Sequence, residues 1–204
     1  MNDYRAVIFD LGKVVFDLSF DRVFQFWALA SGRPYAKIKS RFQFDNIFEQ
    51  FEKDEITSKK FRTKVSQRLG LTLTDKTFDE GWCNLYLDTY HGVDEVLASL
   101  KHKYQLIALT NTNSIHSAVW NIKYTHTLRH FQKIFSSHQI RERKPDAKAY
   151  QIVLDYLQVK PQQAVFIDDS IDNTEAAEKL GIKAILVTST KQMTAELQAL
   201  GLLG

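Results

Sequence analysis

Asp10 closes the apolar run Ala6-Val7-Ile8-Phe9 and is followed at once by Leu11-Gly12. A carboxylate so placed can ligate a hard cation through oxygen, attack an electrophile, or do both; it can also simply begin a turn. Three later polar tips favour chemistry over the turn. Thr110-Asn111 ends the apolar stretch 105–109, Lys144 lies in the loop after 133–137, and Asp168-Asp169 ends 164–167. Asp10 and Asp169 suit Mg²⁺, which takes one or two protein carboxylates and fills its remaining positions with phosphate oxygens and water. Thr110 offers a hydroxyl, with backbone N–H groups at a helix start beside it, and suits a phosphate. Lys144 supplies a point positive charge for that phosphate or for the attacking carboxylate. Phosphoryl transfer is mainly positioning plus electrostatic stabilisation, and this set offers both.

These tips meet only if their strands are parallel neighbours. The continuous apolar run before Asp10 reads as a strand buried on both faces, and open α/β sheets carry their ligands outside the carboxyl ends of such strands. From His91 onward the texture alternates. A helix runs from Val93 to Leu100, and others carry Ile115, Val119 and Trp120, then Ala149, Tyr150, Val153, Leu154 and Leu157. Another runs from Asn173 to Leu180 and is ended by Gly181; a strand at 183–187 and a helix at 190–200 close the chain. The expectation is an α/β fold, a doubly wound parallel sheet with right-handed crossovers.

Between 17 and 90 the strand texture gives way to aromatics three and four apart, first Phe20, Val23, Phe24 and Trp27, then Phe44, Phe48 and Phe51. That spacing marks amphipathic helices whose stripes pack a core. Thr57 or Ser58 caps a further helix bearing Phe61, Val65 and Leu69 and stopped by Gly70; residues 74–78 open one carrying Trp82, Leu85 and Tyr86. The expected organisation is a core of 1–16 and 91–204 with an all-helical cap at 17–90.

A chain of 204 residues accommodates one domain plus such an insertion, and 44% hydrophobic with 25% charged content is ordinary for a soluble globular protein. A net charge of +3 leaves no nucleic-acid footprint. Lys37, Lys39 and Arg41 read as a solvated helix face, while Arg141 and Arg143 flank Lys144 in its loop. The lone Cys83 excludes an intramolecular disulfide and reads as a small hydrophobe. His126, His130 and His138 lack metal-ligand spacing, and His91 and His116 read as surface or satisfied positions. No signal-peptide pattern opens the chain and no apolar stretch spans a bilayer, so a cytoplasmic chain is expected, a monomer or a dimer, with a small phosphorylated molecule as partner and neither nucleic acid nor membrane.

Phe9-Asp10-Leu11-Gly12, Leu109-Thr110-Asn111, Arg143-Lys144-Pro145 and Ile167-Asp168-Asp169 with Asn173, in that order, resemble the four motifs of haloacid-dehalogenase-superfamily hydrolases with a helical cap after the first strand. The likeness covers the whole length. It is strongest to the bacterial α-D-glucose-1-phosphate phosphatase group, through Asp10-Leu11-Gly12, the stretch from Thr110 to Asn113, and the stretch from Arg143 to Tyr150. The resemblance implies a Mg²⁺-dependent phosphomonoester hydrolase of a small sugar phosphate. In it Asp10 attacks phosphorus and water hydrolyses the aspartyl-phosphate. Mg²⁺ would be held by Asp10, the Gly12 carbonyl and Asp169, and the phosphoryl group by Thr110, Asn111 and Lys144. Asp168 would act through water or from behind the ligands, and Asn173 would steady the acidic loop.

One position departs from the pattern. Many family phosphatases carry a second Asp two residues after the nucleophile, as general acid for the leaving group; here it is Gly12. Three readings follow: Lys13, His116 or Asp168 moves the proton, the leaving group needs little help (as at an anomeric carbon), or the domain only binds. A 2-haloacid dehalogenase also lacks that acid, but the adjacent Asp168-Asp169 calls for a cation and argues against it. Specificity would come from the cap, with Phe16, Phe44, Glu49 and Trp82 as candidates; Arg143 either helps Lys144 hold an anion or braces its loop.

Overall fold

The computed structural model describes residues 3–204. In chain order, β1 (Ala6–Phe9) is followed by β2 (Phe16–Leu18) and five helices: α1 (Phe20–Ser31), α2 (Tyr35–Arg41), α3 (Asn46–Glu52), α4 (Ser58–Leu69) and α5 (Asp75–Cys83). β3 (Tyr86–Thr89), α6 (Val93–Leu100), β4 (Gln105–Thr110), α7 (Ser114–Lys123), α8 (Thr125–Leu128) and β5 (Lys133–Ser136) come next. The chain finishes with α9 (Ser137–Ile140), α10 (Ala147–Leu157), β6 (Ala164–Asp168), α11 (Ile171–Lys179), β7 (Lys183–Leu186) and α12 (Thr190–Ala199).

Five strands form one parallel sheet in the order β5-β4-β1-β6-β7. β1 is central because all four of its residues are apolar; each is 0% exposed, which only a doubly covered strand allows. Its alternate side chains feed two cores. Val7 and Phe9 pack with Leu106, Val165 and Trp120 on one face, and Ala6 and Ile8 pack with Tyr150, Val153 and Phe166 on the other. Burying each large apolar side chain contributes about 1.5–3 kcal/mol, so the strand that carries Asp10 is among the best-anchored pieces of the molecule. The Asp10 N–H extends the ladder by one bond, to Ile167 O at 2.8 Å.

The stretch 17–90 is not all helix. β2 and β3 pair antiparallel, Phe16 opposite Thr89 and Leu18 opposite Tyr86, with an irregularity between Phe16 and Leu18. Ser19 N–H to Leu85 O (2.9 Å) and Tyr90 N–H to Val15 O (3.0 Å) extend this ribbon at its two ends. α5 therefore stops at Cys83, and Leu85 and Tyr86, expected on that helix, lie beyond it. Leu85 and Tyr86 fall at helical spacing from Phe78 and Trp82, which hides the change to strand. A three-residue strand with a bulge has too few positions to show a period of its own.

Aromatic rings fill the core of the five helices. Phe51 stacks on Phe61 at 4.2 Å and Trp27 lies 5.9 Å from Trp82. α1 and α5 pack tightly because residue 81 is glycine: a Cβ there would lie 2.3 Å from Trp27 Nε1, whose N–H bonds Phe78 O at 3.1 Å. No helix of the described residues is long and apolar enough to cross a membrane.

Candidate active site

The carboxyl ends of β1, β4 and β6 bring Asp10, Thr110 and Asp168 together, and the loop between α9 and α10 adds Lys144. Lys144 is 1% exposed and its ammonium donates to two acids, Asp10 Oδ1 at 2.8 Å and Asp168 Oδ2 at 2.6 Å. Asn111 fixes the lysine's backbone: its amide donates to Lys144 O (2.8 Å) and accepts from Lys144 N–H (2.9 Å). The side chain of Asn111, expected on the phosphate, is thus a clamp on the lysine.

Asp168 is fully buried and both of its oxygens are taken. Oδ1 accepts from Ser170 N–H (2.8 Å) and Asn173 (3.0 Å), and Oδ2 accepts from Lys144 and from Asn173 (3.1 Å). Asn173 is itself held through its carbonyl by the Tyr150 hydroxyl at 2.8 Å. Asp169 is more open, with Lys13 Nζ at 3.8 Å. Asp10, Asp168 and Asp169 each offer an oxygen within 4.8 Å of the others.

Three carboxylates here share one buried ammonium. Burial pushes Asp10 up to about 7; Lys144 opposes this, and the charges of Asp168 and Asp169 add to it. Asp169 is raised by burial and by Asp168. Burial works against the charge on Lys144, but Asp10 and Asp168 together outweigh it and hold the lysine protonated. The site is short of positive charge. A divalent cation on oxygen donors would correct that, and the carboxylates of Asp10 and Asp169 with the Gly12 carbonyl are the matching hard donors.

Above the tips lies a cavity of about 90 Å³. Gly12, Thr110 and Asn111 line it from the sheet side, Phe16 and Tyr86 from the ribbon, Phe44 from the loop between α2 and α3, and Glu52 and Trp82 from the helices. Of the expected cap residues, Phe16, Phe44 and Trp82 therefore reach it. Glu49 is not among the lining residues and instead pairs with Arg143 at 3.5 Å. The Trp82 indole N–H is buried without a hydrogen-bond partner among the described residues.

Glu52, which spacing alone does not mark as a site residue, lines the cavity and accepts from Arg143 Nε at 2.9 Å. Its signal was its place four residues after Phe48, on the buried face of α3. Arg143 therefore braces its loop against α3, and Arg141 reaches Asp54 at 3.6 Å in the same direction.

His116 is poorly placed to move a proton. Its ring stacks on Trp82 at 4.4 Å, Nε2 lies 3.1 Å from Trp82 O, and Nδ1 lies 3.2 Å from the Asn113 amide. Burial lowers it to about 3, so it is neutral and fully partnered. Lys13 faces Asp169 and is not among the residues lining the cavity. Asp168, bonded on both oxygens, positions Lys144. Burial and Asp79 push the Cys83 thiol up to about 12, which makes it a poor nucleophile.

The model of the haloacid dehalogenase-like hydrolase family matches residues 4–181. A phosphorylated carbohydrates phosphatase of Thermotoga maritima is 26% identical over 192 residues, covering 89% of this chain and 83% of that protein. A GMP/IMP nucleotidase of Escherichia coli (strain K12) is 26% identical over 205 residues, covering 96% of this chain and 88% of that protein. Some other curated relatives are longer, and the chain spans 34% of one and 13% of another. A HAD family enzyme of Bacteroides thetaiotaomicron, solved in complex with magnesium and inorganic phosphate, superposes with a TM-score of 0.79 at 28% identity, covering 92% of this chain and 96% of that one.

Proposed function

The chain belongs to the haloacid dehalogenase-like hydrolases and is a phosphatase of that family, and on that premise we propose that it hydrolyses the phosphomonoester of a small sugar with Mg²⁺, through phosphorylation of Asp10. The observation that carries the reading is Lys144, buried between Asp10 and Asp168 beneath a cavity edged by Thr110. Asp10, the Gly12 carbonyl and Asp169 would hold Mg²⁺, which would supply charge neutralisation for the phosphoryl oxygens and the attacking carboxylate. The lysine holds Asp10 Oδ1 and keeps the carboxyl at the strand tip, aimed into the cleft. Thr110 and Lys144 receive the phosphoryl oxygens, and the Asn111 clamp fixes the lysine while they do so. Asp168 and Asn173 set the ammonium's direction. Aromatic rings line the space above, and an apolar wall strengthens each of these interactions.

Several observations support a sugar as the rest of the substrate. The cavity is small, its wall is aromatic, and the Trp82 N–H, without a partner among the described residues, offers a donor for hydroxyl groups. The likeness to a phosphorylated carbohydrates phosphatase agrees. The acidic cluster is foreign to halide displacement, which develops no charge that two extra carboxylates would stabilise.

Phosphate release from hexose 1-phosphates, hexose 6-phosphates and nucleoside monophosphates, with Mg²⁺ and with EDTA, tests the reading, with halide release from 2-chloropropionate measured alongside. The expected result is Mg²⁺-dependent phosphate release, fastest with a hexose phosphate, and no halide. Release that survives EDTA, or none from any ester with Mg²⁺ present, would overturn it. A clear preference for the nucleoside monophosphates would move the substrate class to that of the nucleotidase relative.

A further inference from the structure

A hydrolysis that cleaves a sugar phosphate must protonate a leaving alkoxide, and residue 12 cannot do so. A Cβ on Gly12 would lie 2.8 Å from Leu18 Cδ1, so an acid there would require the Leu18 side chain to turn aside. Leu18, on the β2–β3 ribbon, occupies the space and lines the cavity. An acid that assists the leaving oxygen would stand on the wall of this cavity, which Gly12 and Thr110 also line. Among the described lining residues the ionisable side chains are Glu52, Tyr86 and His116. His116 is neutral with both nitrogens partnered, and burial raises the Tyr86 phenol far out of the useful range. Glu52 is the carboxyl group of that wall.

Building on the phosphatase reading, the geometry points to Glu52 as the general acid and base of the reaction, delivered to the cleft by the cap helix α3 rather than by the strand that carries the nucleophile. In the first step an Asp10 carboxylate oxygen attacks phosphorus. The bond from phosphorus to the leaving oxygen breaks, its electron pair goes to that oxygen, and the oxygen takes the proton of the Glu52 carboxylic acid. The sugar leaves as an alcohol, and Glu52 is now a carboxylate. In the second step a water oxygen attacks the phosphorus of the Asp10 acyl phosphate while Glu52 takes a proton from that water. The bond from phosphorus to the Asp10 oxygen breaks with its pair returning to Asp10, inorganic phosphate departs, and Glu52 is an acid again.

The surroundings suit both roles. Burial raises Glu52 above the ordinary carboxylate range, Arg143 from the loop before α10 pulls the other way, and Lys144 pulls more weakly. Glu49 on its own helix and Tyr86 on the ribbon are the other ionisable groups around it. Arg143 Nε at 2.9 Å from Oε2 fixes the carboxyl's direction, and Arg143 adjoins Lys144 in sequence. Docking of α3 on this loop therefore places the acid and the phosphate-binding lysine together.

Glu52→Gln tests this, since the amide oxygen can still accept from Arg143. Rapid-quench kinetics would compare two substrates: the hexose phosphate turned over fastest by the wild type, and p-nitrophenyl phosphate, whose leaving group needs no proton. The expected result is a loss of about 10²–10⁴-fold in the first step with the sugar. The p-nitrophenolate burst should keep the wild-type rate and be followed by a slow steady state, because the base of the second step is missing. The alkaline fall in kcat/KM for the sugar should vanish in the variant. If Glu52 only braces the loop, burst and sugar cleavage slow together, which overturns the assignment; so does unchanged cleavage of the sugar. A wild type that releases no phosphate from any ester defeats the phosphatase reading itself and Glu52 with it, whereas an active wild type with an unaffected variant defeats Glu52 alone.

Discussion

Asp10→Asn should lower phosphate release by more than about 10⁴-fold while leaving the fold intact. An amide oxygen is a poor nucleophile, and residual turnover from the remaining positioning groups is what survives loss of a nucleophile elsewhere. Stability should move independently. Asp10 is a buried carboxyl raised to about 7, so the native state holds its proton more tightly than the unfolded chain does. Such a group contributes stability that is present below the unfolded value of about 3.9 and is lost as pH rises through the native value. In EDTA at pH 8 the variant should therefore melt at or above the wild-type temperature. Phosphate-release assays and thermal melts on the same preparation check both halves. A variant that loses activity only because it unfolds would show the opposite melting shift.

Lys144→Met should cost both activity and stability. The lysine is buried and bonded to both Asp10 and Asp168, and removing it leaves two buried acids facing each other. Breaking a buried pair by removing one partner costs about 3–5 kcal/mol. For a chain of this size that corresponds to a fall in Tm of roughly 10 °C. The phosphoryl oxygens also lose a positive charge, so turnover should fall to near background. Adding Asp168→Asn to Lys144→Met removes one of the stranded charges and should recover part of the melting temperature without recovering activity. Full recovery of turnover would show that the lysine serves only to balance Asp168.

Much of this site is legible in the chain because strand physics fixes addresses. An apolar run ending in Asp10, another in Thr110 and another in Asp168-Asp169 are three strand tips, and parallel neighbours put such tips on one edge. Lys144 joins them through its place in a loop after a fourth strand. Asn111 is legible as a site residue but not in its role, because its partner is the backbone of a residue 33 positions away. Glu52 is harder still. It is an acid at the end of an aromatic helix, and its meaning depends on Arg143, 91 residues on, arriving beside it. The ribbon of β2 and β3 escapes for a different reason. Strands of three and four residues beside helices leave no period to read, yet that ribbon carries the Leu18 whose side chain lies against Gly12. Interactions within one element show in spacing, whereas interactions between elements of different kinds do not.

The most direct test of phosphoryl transfer to the strand-tip carboxylate is to find the phosphoryl group on the protein. The wild-type chain would be mixed with Mg²⁺ and a hexose phosphate labelled in its phosphorus, quenched in acid within the first turnover, and digested to locate the label. The expected result is label on the peptide containing Asp10, lost on a chase with unlabelled substrate and absent from Asp10→Asn. Phosphate released with no label on the chain at any time, or label on a different residue, would contradict it.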